Sequence, residues 1–176
     1  TLAFEIISDK KNLFSDVQKS EIIYLLANCS GHTGIAGGQE LDLKFENRNK
    51  KINQILNMQR KKTGKLFNFC VQATAIIANK SQKEKNLFGK IGEEIGLLFQ
   101  FADDFLDARG SKKKAGKPIK KDKKKGKSTL INLMGYKNAF KYADNLKRKL
   151  LLNLKKRGKN TIDLRETIEF ILKRDY

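Results

Sequence analysis

Tryptophan is absent, proline occurs once, histidine once (His32) and cysteine twice (Cys29 and Cys70) among the 176 residues. One proline and no tryptophan argue against a Pro-rich linker or a turn-dense β protein. Two cysteines cannot build a disulfide-stapled scaffold or a four-cysteine zinc site. A single histidine excludes Cys2His2 zinc binding and a histidine-based metal triad; with no partner near it in sequence, His32 is assigned no chemistry. Both cysteines read as small core residues. No apolar run approaches the roughly 18 residues of a membrane span, and the N-terminus lacks a signal-peptide layout. These absences point to a soluble, cytoplasmic protein with no stable membrane insertion. The chain opens on Thr1 in mid-pattern, so the expectation is a piece of a longer protein.

Acidic residues are also scarce: Lys plus Arg is 38 against 19 Asp plus Glu, for a net charge of +19. Only seven of the basic residues are Arg, whereas specific DNA contacts favour bidentate Arg and single-strand binders stack bases on aromatics. The densest lysine run, Lys112 to Lys127, contains no aromatic. A solvated lysine surface is therefore preferred to a nucleic-acid site, and a small anionic substrate is the third reading. Apolar residues make up 39%, fewer than in an average domain, yet they are too regularly placed for disorder.

That placement is helical nearly throughout. Leu2, Phe4, Ile6 and Ile7 read as the end of a buried helix. Ser15 and Gln18 form a capping box ahead of the stripe Ile22, Ile23, Leu25 and Leu26, with a stop near Gly31 to Gly34. Gly34 to Leu43 holds too many glycines for an ordinary helix interior. A long helical stretch runs from about Lys50 to Asn79, with Gly64 inside it. Ser81 and Glu84 cap a helix whose apolar side carries Ile91, Ile95, Leu98, Phe99, Ala102, Phe105 and Leu106, ending at Gly110. A lysine-rich loop follows from Ser111 to Lys127. Two more helices are predicted, Tyr136 to Arg157 with Gly158 as C-cap and Thr161 to Arg174 with Asn160 as cap. No alternating run suggests a strand.

Against the basic background, three carboxylates sit together in Phe99-Gln100-Phe101-Ala102-Asp103-Asp104-Phe105-Leu106-Asp107. On a helix, Asp103 and Asp107 share a face, with Gln100 one turn before them. Like charges at that spacing repel, more so beside an apolar wall, and near a helix C-terminus the macrodipole adds a second penalty. A hard divalent cation removes both; Mg²⁺ takes a few carboxylates and fills its other positions with water and substrate phosphates. Lys61-Lys62-Thr63-Gly64-Lys65 offers a lysine and a hydroxyl beside glycine, suited to a phosphate; an exposed helix face explains it equally well. Gly126-Lys127-Ser128-Thr129 imitates a P-loop, but the first glycine of that motif would fall on Lys121 and no strand precedes it. Carboxylates for Mg²⁺ and lysines for the same anion suit a diphosphate substrate.

In this order, GGQELDL, KTG, FQFADDFLD and GKPIKKDKKKGKST resemble the isoprenyl (polyprenyl) diphosphate synthases, or trans-prenyltransferases, and their bacterial farnesyl diphosphate synthase branch in particular. The resemblance runs over residues 1–176 and corresponds to the C-terminal portion of one such domain. It implies an all-α bundle around a deep central cavity, incomplete at the N-terminus, usually homodimeric. It implies that isopentenyl diphosphate is joined head to tail to an allylic diphosphate (dimethylallyl or geranyl), giving a short-chain product such as farnesyl diphosphate. Mg²⁺ would assist ionisation, and an apolar cavity would exclude the water that quenches a cation. By the same resemblance, Asp103 would bind Mg²⁺ directly, Asp104 and Asp107 partly through water, and Asp122 would help that shell. Lys62 and Lys117 would bind the allylic diphosphate, and Lys127 would lie near the mouth. Thr63, Gln39 and Gln100 would line the allylic site, and Phe99 would face the isopentenyl side. Gly38 and Gly64 would allow close approach of the backbone, to substrate or in helix packing.

One departure is large. The family's first aspartate-rich motif, the basic residues that hold isopentenyl diphosphate, and the residue that helps set product length have no counterpart in these 176 residues. The expectation is that the chain alone does not turn over. Lys120 to Lys125 is also more basic than the family loop. Two alternatives stand beside this reading: a non-catalytic synthase-like subunit, and a basic nucleic-acid binder.

Overall fold

The computed structural model describes residues 1–114 and 129–173. Among them there is no strand, and nine α-helices follow in order: α1 (Leu2–Ser8), α2 (Asp16–Ser30), α3 (Ile35–Phe45), α4 (Ile52–Gln59), α5 (Lys65–Ile77), α6 (Gln82–Lys114), α7 (Leu130–Met134), α8 (Tyr136–Lys155) and α9 (Ile162–Ile171). A π-helical turn, Arg60–Gly64, joins α4 to α5 without a break, and a 3-10 turn, Lys159–Thr161, leads into α9. The expected all-α class is what is found.

The 33-residue helix α6 is the axis, about 50 Å long at 1.5 Å per residue. Leu97, Leu98 and Phe101 on it are fully buried, as are Ile95 and Ala102 nearly so. They pack with Ile55 and Met58 of α4, Leu130 of α7, Ala139, Ala143, Leu150 and Leu154 of α8, and Ile168 of α9 in one core. A second, thinner cluster joins Ile7 of α1, Ile22 and Leu26 of α2, and Ala73 and Ile76 of α5. The capping boxes form as read: Gln18 N–H donates to Ser15 Oγ at 3.2 Å while Ser15 N–H donates back to Gln18 Oε1, and Ser81 and Glu84 do the same at the start of α6.

Several sequence expectations are corrected. The glycine-rich segment is a helix, α3, because its glycines face other backbone rather than solvent: a Cβ on Gly38 would lie 2.2 Å from the Lys62 nitrogen. Helix α6 does not end at Gly110 but continues to Lys114; one glycine costs a helix only about 1 kcal/mol, and no proline follows at once. Leu2 and Ile6 are exposed and only Ile7 of α1 is buried. Cys29 is a core residue and Cys70 is exposed. Asn160 does not cap α9. Thr161 stands at that position, and its hydroxyl donates to the Leu154 and Gly158 carbonyls instead. The short helix α7 was not foreseen. No helix of the described residues is long and apolar enough to cross a membrane.

Candidate functional site: a headgroup-sized cavity between a π turn and α6

The π turn carries Lys61, Lys62 and Thr63. Such turns insert one residue into a helix and re-aim its side chains, and they concentrate at functional sites. Two helices brace this one by backbone contact. Helix α3 meets it at Gly38, and α6 meets the Gly64 end at Gly96, whose Cβ would fall 2.6 Å from Gly64 Cα. Close approach at both glycines is thus to protein backbone, the packing reading of the two. Asp42 lies one turn beyond Gly38 on the same face of α3, which sets its carboxylate against the turn. Lys62 Nζ donates to Asp42 Oδ2 at 2.6 Å.

On α6, Gln100 and Asp104 are four residues apart and meet on one face. Gln100 Nε2 donates to Asp104 Oδ1 at 3.0 Å. The Thr63 hydroxyl donates to Gln100 Oε1 at 3.3 Å, so one chain of hydrogen bonds crosses from the π turn to the acid. The other carboxylate oxygen, Asp104 Oδ2, accepts from the backbone N–H of Leu130 at 3.2 Å, in the first turn of α7. Asp104 is buried, and burial raises its pKa above the ordinary aspartate value; the hydrogen bonds from Gln100 and Leu130 oppose this without cancelling it, and the neighbouring Asp107 and Asp103 add to it.

Lys62, Gln100 and Asp104 line one cavity of about 110 Å³, with Asp42, Phe45 and Glu46 on one side, Ile55, Met58 and Gln59 beside Lys62 on another, and Thr129 closing it with Gln100 and Asp104. Drug-sized ligands fill roughly 300–1,000 Å³, so this space suits a polar headgroup and not an extended hydrocarbon. A larger cavity of about 590 Å³ opens on the other side of Arg60, between α6 and α8, and holds none of the residues singled out in the sequence.

Of those residues, Lys62, Thr63, Gln100 and Asp104 come together here. Asp103 is half-buried and Asp107 exposed, and neither lines the cavity. Gln39 is exposed on α3. Phe99 turns toward α5, its ring 5.4 Å from that of Phe67. Lys117, Asp122 and Lys127 lie outside the described residues. Because α6 continues to Lys114, the acids sit about two turns inside the helix. The macrodipole, which acts within the last turn, penalises them less than the sequence suggested, and burial of Asp104 is the larger cost. Asp42, Glu46, Gln59 and Thr129 went unassigned in the sequence. Asp42 had a signal, its four-residue spacing from Gly38. Gln59 had none, since a glutamine before three basic residues reads as surface.

The oxygen-rich lining agrees with a hard cation. Among the described residues, no three acidic, histidine or cysteine side chains gather as a metal group, but Mg²⁺ commonly uses one or two carboxylates and takes the rest from water and substrate. A further oxygen, Gln59 Oε1, is buried with no hydrogen-bond partner.

Three comparisons place this arrangement. Farnesyl diphosphate synthase of Escherichia coli is 35% identical over 180 residues, covering 99% of this chain and 60% of that protein. An FPP/GFPP synthase from Zymomonas mobilis superposes with a TM-score of 0.82 at 31% identity, over 97% of this chain and 56% of the other. A geranyltransferase from Helicobacter pylori, solved in complex with magnesium and isoprenyl diphosphate, gives 0.78 at 27% identity, over 98% and 56%. The chain thus spans little more than half the length of the proteins it matches. The family model for polyprenyl synthetases matches residues 1–171, and with the fold and the cavity in agreement, this chain belongs to the polyprenyl synthetase family.

Proposed function

We propose that this chain carries the second aspartate-rich half of a trans-prenyltransferase, which joins isopentenyl diphosphate to an allylic diphosphate and releases a short-chain prenyl diphosphate. The observation that carries the reading is the meeting of Lys62, Gln100 and Asp104 on one headgroup-sized cavity, with Thr63 hydrogen-bonded to Gln100 behind them. Lys62 has three donors; one is held by Asp42, which leaves two for diphosphate oxygens. Gln100, fixed from both ends, orients Asp104. Phe45, Ile55 and Met58 are the apolar part of the wall around the headgroup.

Asp103, Asp104 and Asp107 are the residues we assign to Mg²⁺, with Asp122 as a further contributor. When bound, the ion supplies Lewis-acid pull on the leaving diphosphate. Lys117 and Lys127 are assigned to the same headgroup, Gln39 to the allylic side and Phe99 to the isopentenyl side. A homodimer is what the family resemblance implies, and the cytoplasm is the setting we propose. Farnesyl diphosphate is the product we favour, because the E. coli relative bears that name. The 176 residues contain one D-D-x-x-D, and we propose that they bind the headgroup but do not turn over unaided.

The test pairs an activity assay with a titration. The 176-residue chain, given isopentenyl and geranyl diphosphates with Mg²⁺, is expected to form no product. The same chain is expected to bind inorganic diphosphate in a Mg²⁺-dependent manner, weakened about tenfold or more by Lys62→Ala or Asp103→Ala, which is about 1.4 kcal/mol. Turnover by the chain alone overturns the half-site proposal. Diphosphate binding that is indifferent to both substitutions, with RNA binding that falls linearly in log salt, overturns the enzyme reading in favour of a nucleic-acid binder.

A further inference from the structure

The site chemistry above uses lysine, threonine, glutamine and aspartate and leaves Gln59 unexplained. Gln59 is the last residue of α4, is 8% exposed and lines the same cavity as Lys62 and Asp104. Its Oε1 is the one buried side-chain oxygen or nitrogen without a hydrogen-bond partner among the described residues. Buried polar atoms are nearly always paired, because an unpaired one retains its full desolvation penalty. A side chain of this size could be replaced by methionine or leucine at no polar cost, and its apolar neighbours Ile55 and Met58 show that the surroundings would accept one.

The protein groups on the cavity wall do not resolve the mismatch. Asp42, Glu46 and Asp104 are acceptors when ionised, as Gln59 Oε1 is. Lys62 Nζ is turned onto Asp42 at 2.6 Å, and Gln100 Nε2 onto Asp104 at 3.0 Å. Lys62 keeps two further protons and Thr129 its hydroxyl proton, but no donor among the described residues reaches Gln59 Oε1, so the donor comes with the occupant. Under the function proposed above, on which this inference rests, the occupant is a hydrated diphosphate headgroup with its cation, whose hydration shell presents O–H donors toward such acceptors.

We propose that Gln59 is a positioning residue for that headgroup. Its carboxamide accepts a hydrogen bond from the hydration shell and so fixes where the diphosphate sits relative to Lys62 and Asp104. The position at the π-turn junction supports the role, since Gln59 is the residue immediately before the turn that carries Lys62.

The experiment uses the protein at its native length and inorganic diphosphate with Mg²⁺ as the probe, read by calorimetric titration beside a thermal melt without ligand. Gln59→Met keeps length and volume and removes the polar end; Gln59→Glu keeps the acceptor. Gln59→Met is expected to melt at or above the wild-type temperature and to bind diphosphate about tenfold more weakly, as for loss of one hydrogen bond at the upper end of the usual range. Gln59→Glu is expected to retain more of the affinity than Gln59→Met. A Gln59→Met protein that melts markedly lower overturns the proposal, because the amide then had a partner in the free fold. Unchanged affinity in Gln59→Met, or no advantage of Gln59→Glu over it, also overturns it. Lys62→Ala separates the two levels: if it loses affinity while Gln59→Met does not, only the role of Gln59 falls, and if neither loses affinity, the functional reading falls with it.

Discussion

Lys62 and Asp104 line the same cavity, and the fold stabilises them by different means. Lys62 is part-exposed and answered by a full opposite charge, Asp42 at 2.6 Å. Asp104 is more deeply buried and, among the described residues, is met by neutral dipoles, an amide N–H of Gln100 and a backbone N–H of Leu130. The lysine side is thus balanced by a charge within the protein, whereas among the described residues the acid is answered by dipoles, and burial makes its charged form costly. A site arranged this way leaves two lysine donors for an anion and a buried carboxylate whose charged form a cation would stabilise. A diphosphate that arrives with Mg²⁺ meets both conditions at once.

The largest effect is expected from breaking the lysine side at its support. Gly38→Ala would put a Cβ 2.2 Å from the Lys62 nitrogen. The contact is backbone on both sides, so no side chain can rotate away. A loss of about 3 kcal/mol in urea unfolding is expected, at the upper end for overpacking, together with loss of diphosphate binding, while the hydrogen bonds around Asp104 on α6 and α7 are left in place. A variant within 1 kcal/mol of wild type would show that α3 is not clamped to the turn and would sink this account of why Lys62 points where it does.

The same contact shows how far the sequence could be read. Helix periodicity and capping boxes located α2, α6 and α8 to within a few residues, because an amphipathic stripe and a Ser-x-x-Gln or Ser-x-x-Glu start are local signals. The acidic run and the KTG segment were legible as chemistry for the same reason. Helix α3 was not legible, since propensity counts glycine as a helix breaker and backbone packing against Lys62 is a tertiary fact that no window of sequence contains. The choice among Asp103, Asp104 and Asp107 was equally out of reach. Spacing places Asp103 and Asp107 on a common face, but which face of a helix buried nearly all round meets the cavity depends on where α4 and α7 lie. Gln59 was invisible because its meaning is a missing partner.

A smaller effect sharpens the comparison directly. A double-mutant cycle on Lys62→Met and Asp42→Asn is expected to give a coupling of about 1–2 kcal/mol, between the values for exposed and fully buried pairs. The side chains are 31% and 12% exposed, so solvent screens part of the attraction. Coupling near zero would mean that the pair does not balance the lysine side, and the contrast with Asp104 would disappear.

The smallest effect tests the acid side through pH. Burial raises the pKa of Asp104 in the folded protein above its unfolded value. A carboxyl group shifted in that direction binds its proton more tightly when folded, so its contribution favours folding below the unfolded pKa and is lost as pH rises through the folded pKa. Ionising the group therefore costs the folded state stability. Asp104→Asn removes that ionisation, although the single amide oxygen can no longer accept from both Gln100 and Leu130. The stability difference between Asp104→Asn and wild type, followed by urea unfolding from pH 7 toward the acid range, is expected to shift in favour of wild type as the pH falls. Mg²⁺ added at pH 7 is expected to raise the melting temperature of wild type more than that of Asp104→Asn, which keeps Asp103 and Asp107 but lacks the buried carboxylate. A difference that stays flat with pH would mean that Asp104 carries no uncompensated charge, and the demand for a cation on that side of the cavity would go with it.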